Sequence, residues 1–423
     1  MKVKNAYKDY EEVLKMKLPE HQKPKKPNMF FRTLMKVASA PDLIATGFKC
    51  KKEGMERLGK NEPALILMNH SSFIDLEIAA SVLYPRPLNI VATLDAFIGK
   101  AWLMRQIGCI PTRKFVNDLG LIKDITRCIR KNKCSVLMYP EAGYTFDGTS
   151  TTLPDSLGKF VKMLGAPLVM LETYGAFHRQ PLYNNLRKRK VKVSAELRYV
   201  LSPDEIRGMS AEQIDEIIKE QFSFDNFKWQ QENEIKIDEP TRAEGLERLL
   251  YKCPACLSEG QMEGKGIHLT CHACSKKWEL TEYGFMRACD GKTEFDHIPD
   301  WYKWERECVR RELENDEYGF CEPVDIYMIV NEKGVYNVGS GELSHGKDGF
   351  VLRGCDGKLE YTQNSVSLYS LNSDFYWYSI GDVIGLGNHT ALYYCLPTKN
   401  KAVVTKARLA TEEIFKDLKN EKK

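Results

Sequence analysis

Residues 64–75 read Ala64-Leu65-Ile66-Leu67-Met68-Asn69-His70-Ser71-Ser72-Phe73-Ile74-Asp75. The stretch joins a short apolar run, typical of a strand buried on both faces, to a polar turn and the start of a helix. Five helical steps of about 100° would leave the side chains of His70 and Asp75 on different sides of a regular helix. We therefore expect His70 in the loop before the first turn, Asp75 inside the helix, and the hydroxyl of Ser71 or Ser72 as the N-cap.

His70 and Asp75 together suggest a general base and the carboxylate that orients it. Neutral imidazole accepts a proton near pH 7, while a carboxylate on the other ring nitrogen fixes the tautomer and stabilises the imidazolium ion. Such a pair can activate a hydroxyl for attack on an acyl carbonyl. Taken alone, the spacing is also explained by a helix cap beside a histidine with a structural hydrogen bond.

Strand-like and helical patterns alternate from Glu62 to Leu201, which predicts an α/β domain on a largely parallel sheet. The predicted strands are 64–68, 89–94, 135–138, 167–171 and 191–201. Ligands of such sheets bind beyond the carboxyl ends of the strands. His70 follows one predicted strand and Glu141 follows another, so we expect both side chains in one crevice.

Four short motifs occur in order within the first 240 residues. They are Asn69-His70-Ser71-Ser72-Phe73-Ile74-Asp75, Gly108-Cys-Ile-Pro-Thr-Arg113, Pro140-Glu141-Ala142-Gly143-Tyr144 and Ala166-Pro167-Leu168-Val169. Together they resemble the motifs of the glycerolipid acyltransferases of the 1-acyl-sn-glycerol-3-phosphate acyltransferase type, whose first motif is NHxSxxD and whose third is usually PEGTR. The third motif departs from that pattern, because Ala142 replaces the glycine, Gly143 the threonine and Tyr144 the arginine. In the family this arginine belongs to the acceptor-phosphate site, so the departure concerns the acceptor headgroup.

The resemblance implies an acyltransferase of phospholipid biosynthesis in which His70, held by Asp75, removes the proton of an acceptor hydroxyl. The donor would be acyl-CoA or acyl-carrier protein, and the acceptor a lysophospholipid, with 1-acylglycerol-3-phosphate expected. Arg113 would bind the acceptor phosphate through its guanidinium group, and Glu141 and Gly143 would shape the acceptor site. Alternatives are acyl transfer to a different lipid acceptor, such as an amino-lipid, and a non-catalytic lipid-binding or scaffold protein on the same fold.

Four of the thirteen cysteines form two Cys-x-x-Cys pairs, Cys253 with Cys256 and Cys271 with Cys274, separated by fourteen residues. This spacing predicts a zinc ribbon. A shell of four thiolates leaves no open coordination position, so we expect a structural zinc ion that supports folding. The remaining cysteines are scattered, which favours a reducing compartment over a disulfide framework.

The sequence divides into five predicted parts. They are a basic amphipathic N-terminal segment (1–48), an acyltransferase domain (49–240), the zinc ribbon (241–295), a linker helix (296–321) and a small antiparallel β domain with a C-terminal helix (322–423). In the last part, about seven short segments alternate with a period of two, one of them over 366–371, before a helical pattern over 403–418. Strand count and final helix resemble a pleckstrin-homology-like or GRAM-like barrel. The glycines of 381–387 indicate turns.

The N-terminal segment is basic, since residues 1–60 contain 15 Lys or Arg and 7 Asp or Glu. We expect Asn28 to cap a helix over 29–38 that carries apolar side chains on one face and Arg32 and Lys36 on the other. Such a helix either lies in an anionic membrane interface or packs on its own domain.

Charge and hydropathy set the expected partners and location. The net charge of the chain is only +4, so no nucleic-acid partner is expected. No apolar run reaches the roughly 18 residues of a membrane span, and the first residues lack the apolar core of a secretory signal. We expect a cytoplasmic protein that binds the anionic inner face of the membrane peripherally.

Overall fold

The computed structural model describes residues 5–114, 116 and 118–420. Within them the chain forms a seven-stranded, a four-stranded and an eight-stranded sheet. The elements that precede the seven-stranded sheet are β1 (Asn5–Tyr7), α1 (Tyr10–Leu14) and α2 (Met29–Ala45). The elements of the α/β domain are β2 (Lys49–Glu53), β3 (Leu65–Met68), α3 (Ile74–Val82), β4 (Leu88–Thr93), α4 (Ala101–Gln106), β5 (Cys109–Thr112), α5 (Leu119–Arg130), β6 (Ser135–Met138), α6 (Leu157–Leu164), β7 (Leu168–Tyr174), α7 (Ala176–Arg179), β8 (Ser194–Leu201), α8 (Pro203–Gly208), α9 (Ala211–Gln221) and α10 (Asn226–Glu232).

The seven-stranded sheet is largely parallel, as predicted. Its order is β2-β8-β7-β3-β6-β4-β5, and the five strands from β7 to β5 run in the same direction. Only β8 pairs antiparallel, with β7, and β2 follows β8 in parallel. The two strands that the sequence analysis missed, β2 and β5, are the edges of this sheet. Edge strands need no continuous apolar run, and the charged sequence of β2 gives none.

Helices cover both faces of the sheet. Alternate side chains of β3 divide between two apolar layers: Ile66 and Met68 pack with α3 and α4, whereas Leu65 and Leu67 pack with α5, α6 and α9. All four side chains are buried. Burial on both faces explains why β3 reads as an uninterrupted apolar run, and it fixes the position of the loop that follows.

The rest of the chain forms a small ribbon and a β domain. The ribbon strands are β9 (Met262–Lys265), β10 (His268–Cys271), β11 (Lys277–Leu280) and β12 (Met286–Ala288), followed by α11 (Ile298–Glu314). The β domain comprises β13 (Phe320–Ile329), β14 (Val335–Gly346), β15 (Gly349–Gly354), β16 (Leu359–Asn364), β17 (Asn372–Trp377), β18 (Gly381–Gly387), β19 (Leu392–Pro397) and α12 (Val403–Asn420). Its antiparallel path is β16-β15-β14-β13-β19-β18-β17, and β1 adds to β14 in parallel. The antiparallel sheet and final helix are as predicted.

Two segments of the β domain differ from the sequence prediction. Residues 366–371 form no strand, because the chain makes a short 3₁₀ turn at Ser365–Ser367 and then an irregular connection. Residues 381–387, expected to form turns, are the buried strand β18. A Cβ at Gly385 would stand 2.2 Å from the Asn372 side chain, so this glycine permits the close approach of β17.

The β domain packs directly on the α/β domain beside the ends of β4 and β5. The indole of Trp377 stacks on Tyr394 with ring centroids 4.2 Å apart and belongs to one apolar cluster with Leu94 and Ile98. Its Nε1–H donates to Asp95 Oδ2 at 3.3 Å. This cluster joins the strand β17 to the residues that follow β4.

Replacing Trp377 by Ala is expected to destabilise the protein by about 3–5 kcal/mol, because the substitution leaves a cavity in the interdomain cluster and an unpaired indole partner. Urea unfolding followed by circular dichroism measures the loss. Val366→Ala, at an exposed residue of the same domain, is the control and should change stability by less than about 0.5 kcal/mol. Equal small effects would mean that the two domains do not stabilise one another.

Candidate active site

His70 and Glu141 lie at the carboxyl ends of the neighbouring parallel strands β3 and β6. The structure brings them into contact, as Glu141 Oε2 accepts the backbone N–H of His70 at 3.0 Å. Arg113 follows β5, at the edge of the same sheet. The predicted site residues of the α/β domain therefore share one end of the sheet, where parallel folds bind ligands.

The carboxylate of Asp75 organises the turn that carries His70. Asp75 is buried, and its Oδ2 accepts the backbone N–H groups of Ser71 at 2.7 Å and Ser72 at 2.9 Å. The expected cap by a serine hydroxyl is wrong: α3 begins at Ile74, and the hydroxyls of both serines are buried without a hydrogen-bond partner in the described residues. A carboxylate accepts N–H groups more strongly than a hydroxyl does, so Asp75 displaces the serines from this role.

Asp75 also holds the imidazole of His70. The same Oδ2 lies 3.1 Å from Nδ1, which assigns the proton to Nδ1 and leaves Nε2 as a free acceptor. Burial lowers the pKa of His70, against the opposing effect of Asp75. The ring is therefore neutral at physiological pH, the form that a general base requires. The side chain keeps 23% of its exposure, so the imidazole is not fully enclosed by the protein.

Two tyrosines flank the imidazole. The ring of Tyr139 stacks on His70 at 3.9 Å between centroids, and that of Tyr144 lies at 4.2 Å with a tilt of 38°. Phe73 contacts Tyr144 edge-on at 6.0 Å. Tyr144 occupies the motif position where the acyltransferases carry arginine, so this chain places an uncharged ring directly against the candidate base. The sequence showed the substitution but not the stacking.

The carboxylate of Glu141 is hydrogen-bonded within the protein, to the backbone of His70 and to Thr151. Its Oε1 accepts the N–H of Thr151 at 2.8 Å and the Thr151 hydroxyl at 3.2 Å, while its Oε2 accepts from His70. Burial raises the pKa of Glu141 to about 7, against the lowering effect of these donors. Both oxygens are engaged by the protein, so Glu141 fixes the backbone of His70 rather than pointing into the crevice.

The turn after Glu141 is strained at Ala142, the position at which the motif of the similar acyltransferases has glycine. Ala142 adopts φ +56°, in the left-handed region that costs a residue with a Cβ about 1–2 kcal/mol. A Cβ on Gly143 would meet no atom within 4 Å. Packing therefore does not demand glycine at 143, and the space beside it is open.

Arg113 is directed into the interface with the β domain. Its Nη2 donates to the carbonyl oxygen of Val330 at 3.1 Å and its Nη1 to that of Asn388 at 3.5 Å. These contacts tie the end of β5 to two turns of the β domain. Phosphate binding by Arg113 stays a prediction. A phosphate would have to bind while the guanidinium group keeps these two hydrogen bonds.

The four predicted metal ligands converge. Their Sγ atoms all lie within 4.8 Å of one another, and the pairs Cys253–Cys274 and Cys256–Cys271 are each 3.8 Å apart. Sulfurs about 2.3 Å from a tetrahedral zinc ion stand about 3.8 Å apart. The cluster is therefore compatible with zinc, and it lies in the ribbon, away from His70 in the sequence and on a different sheet.

One surface of the α/β domain exposes large apolar side chains. On α2 they are Met29, Phe30, Leu34 and Val37, and on α4 Trp102, whose ring contacts Phe31 at 6.0 Å. We call these five side chains the apolar surface. The helix α2 is capped by Asn28, as predicted, and continues beyond the predicted end to Ala45. In the described part of the chain, no helix is sufficiently long and apolar to span a membrane.

Part of the α/β domain matches a known protein family. Residues 49–171 match the family model Acyltransferase, which confirms the resemblance in this part of the chain. Among solved structures, the chain is similar to the crystal structure of the 1-acyl-sn-glycerophosphate (LPA) acyltransferase PlsC from Thermotoga maritima. The identity is 16% and the TM-score 0.37, over 45% of this chain and 76% of that one. A search of the curated proteins gives no significant match.

Replacing Cys271 by Ser is expected to remove one equivalent of bound metal per chain and to lower the melting temperature by more than about 5 °C, because ion binding and folding of the ribbon are coupled. Plasma mass spectrometry and calorimetry on the purified chain measure the two effects. Cys289→Ser is the control, since Cys289 lies in the same ribbon but outside the cluster. The same metal content in both variants would exclude a metal site at this cluster.

Proposed function

We propose that this protein transfers an acyl group from a thioester donor to the hydroxyl of a lysophospholipid, with His70 as the general base. The observation that supports this most is the bond between His70 Nδ1 and the buried Asp75, in a domain that matches the acyltransferases. It leaves Nε2 as a proton acceptor at the carboxyl end of a parallel sheet. General-base assistance of this kind contributes about 10²- to 10⁴-fold to a rate.

The proposed reaction has two steps at one histidine. Nε2 of His70 takes the hydroxyl proton while the oxygen forms a bond to the thioester carbonyl carbon, and Asp75 stabilises the imidazolium. The C–S bond then breaks, and the imidazolium returns the proton to the leaving thiolate. The N–H groups of Ser71 and Ser72 already donate to Asp75, so donors for the oxyanion come from other groups or from the substrate.

The acceptor site is proposed to lie beside Tyr144. The acceptor proposed first is 1-acylglycerol-3-phosphate, and Arg113 is the cation of the four motifs that could bind its phosphate. Glu141 supports this site through the backbone of His70, and Gly143 leaves room beside it. The donor is proposed to be acyl-CoA or acyl-carrier protein, and the cysteine cluster to hold a structural zinc ion.

Contact with an anionic membrane is proposed for the apolar surface. Large exposed apolar side chains on one helix, with Lys36 on the same helix, suit an interfacial position in which the apolar groups enter the acyl boundary. The acceptor is a lipid, so this contact would place the active site at the source of its substrate. The pairing of β1 with β14 makes deletion of the N-terminal segment an unsuitable test, because it also removes a strand of the β domain.

A non-catalytic lipid-binding protein is the competing function. The observation in its favour is that Arg113 is held by carbonyl groups of the β domain and Tyr144 covers one side of His70. The intact bond between His70 and Asp75 opposes it, because a binding protein needs no oriented base.

His70→Ala is expected to lower acyl transfer by at least about 10²-fold without a change in fold. Purified protein is given palmitoyl-CoA with lysophosphatidate, lysophosphatidylethanolamine or monoacylglycerol, and acylated product is measured by mass spectrometry. Asp75→Asn retains an oxygen for the serine N–H groups but presents an amide to Nδ1, so activity should fall about 10²- to 10⁴-fold with a small stability change.

The matched control for these variants is His21→Ala. The ring of His21 contacts Asp124 at 2.9 Å, and the aspartate of this second histidine–aspartate pair lies on helix α5 rather than on α3. Its activity should equal that of the wild type. Product formation that survives in His70→Ala would disprove the base assignment, and absence of product with every acceptor would favour the binding-protein function.

The double variant Phe30→Ser, Val37→Ser is expected to weaken binding to anionic vesicles by at least about tenfold, because two side chains of the apolar surface become polar. Co-sedimentation with phosphatidylglycerol-containing vesicles measures binding. Met163→Ser, an exposed apolar residue of α6 on the opposite face of the sheet, is the control. Unchanged sedimentation of the double variant would show that α2 does not contact the membrane.

A further inference from the structure

The imidazole of His70 is covered by the faces of two tyrosine rings. Tyr139 lies 3.9 Å from it between ring centroids, with an angle of 24° between the ring planes, and Tyr144 lies 4.2 Å away with an angle of 38°. Aromatic pairs in proteins usually have centroids about 4.5–7 Å apart. Both contacts are therefore unusually close, and neither ring approaches the imidazole edge-on.

Backbone hydrogen bonds and packing hold the two tyrosines in place. The carbonyl oxygen of Tyr139 accepts the N–H of Ala142 at 3.1 Å, and the N–H of Thr145 donates to the carbonyl oxygen of His70 at 3.0 Å. Tyr139 packs against the apolar layer of α3 and α4, whereas Tyr144 packs against the large apolar cluster that includes residues of the β domain. Both rings are thus positioned before a ligand binds.

The charge of His70 changes during the proposed reaction. The neutral ring becomes imidazolium when Nε2 takes the proton of the acceptor hydroxyl. Asp75 favours this cation and Lys114 opposes it, while burial lowers the pKa of the ring. Burial also raises the pKa of Tyr139 and Tyr144 well above the usual 10, so both tyrosines stay neutral.

The face of a tyrosine ring attracts a cation, because the π electrons make it negative. The attraction acts within about 6 Å of the ring centroid and is stronger where water is excluded. The imidazolium ion of His70 meets this distance condition at both tyrosines. Glu141 is bonded to the backbone N–H of His70 and not to its ring. An arginine at position 144 would instead place a like charge against the ring and disfavour its protonation.

We infer that Tyr139 and Tyr144 are positioning residues that stabilise the imidazolium form of His70 through the faces of their rings. The inference rests on the proposed acyl transfer and gives the tyrosine at the motif-arginine position a role toward the base. The phenolic hydroxyl groups are not needed for this role. The carboxylate of Asp75 and the two rings act on the same cation, Asp75 through Nδ1 and the tyrosines through their π electrons.

The test measures the pKa of His70 directly, in the full chain labelled with ¹³C-histidine. NMR follows the signals of the eight histidines with pH, and the signal missing from His70→Ala identifies His70. Tyr144→Phe retains the ring face and should leave this pKa within about 0.2 of the wild-type value. Tyr144→Leu and Tyr139→Leu retain an apolar cover without a ring face, and each should lower the pKa by at least about 0.5.

A charged variant and a distant one complete the series. Tyr144→Arg should lower the pKa of His70 by at least about 1, because a like charge disfavours the imidazolium ion. Tyr283→Leu, at an exposed tyrosine of the ribbon, is the control and should leave the pKa unchanged. Thermal melting of each variant verifies folding.

Acyl-transfer rates supply a second readout. In Tyr144→Leu the rate at saturating acceptor should fall by about threefold, since a base of lower pKa removes a proton less readily. The acid limb of the profile of kcat/KM against pH should move to lower pH in the same variant. Tyr144→Phe should keep the wild-type rate and profile.

The outcomes separate this inference from the proposed function. An unchanged or raised pKa in Tyr144→Leu would overturn the inference, because loss of burial alone raises the pKa of a histidine. A wild-type ring that stays neutral at every pH at which the chain is folded would overturn it too, as would a loss of activity in Tyr144→Phe, which would assign the role to the hydroxyl group. Absence of product with every acceptor would overturn the proposed function, while the titration would still test the two tyrosines.

Discussion

The buried carboxylate of Asp75 is the group on which the candidate active site depends. One of its oxygens accepts two backbone N–H groups and the Nδ1–H of His70, so a single atom shapes the turn before α3 and sets the tautomer of the candidate base. On the other side, Glu141 holds the backbone of His70. Both carboxylates are buried, where such bonds are stronger than in water, and both ring and backbone of the histidine are fixed before a ligand arrives.

The second constraint is the contact between the two larger domains. Arg113, Asp95 and Phe146 follow three parallel strands, and each of them contacts the β domain. Ligand-binding loops of an α/β fold are usually its mobile part. Here a neighbouring domain supports them, so the crevice is formed from two sheets of different architecture. The contacts that support the crevice therefore include residues beyond residue 171, where the match to the family model ends.

The sequence predicted the parallel sheet and the contact of His70 with Asp75 because strands buried on both faces are continuously apolar and because the motif spacing is local. It failed where several groups compete for one role, as when Asp75 takes the capping position expected of Ser71 or Ser72. Strand β18 was missed because its glycines serve interstrand packing, which no local pattern reveals. The stacking of Phe146 on Phe375 joins residues far apart in the chain, and no single-sequence signal encodes such pairs.

Because β1 pairs with β14, the order of synthesis determines when β1 can join its sheet. Asn5 aligns with Val335, 330 positions later, whereas every strand of the parallel sheet has been made once residue 201 is complete. The strand β1 therefore remains without its partner strand while the α/β domain and the ribbon are synthesised. It can join its sheet only when the β domain forms. The amino-terminal residues complete the molecule although they leave the ribosome first. Folding of the final hundred residues is thus reported by protection of the opposite end of the chain.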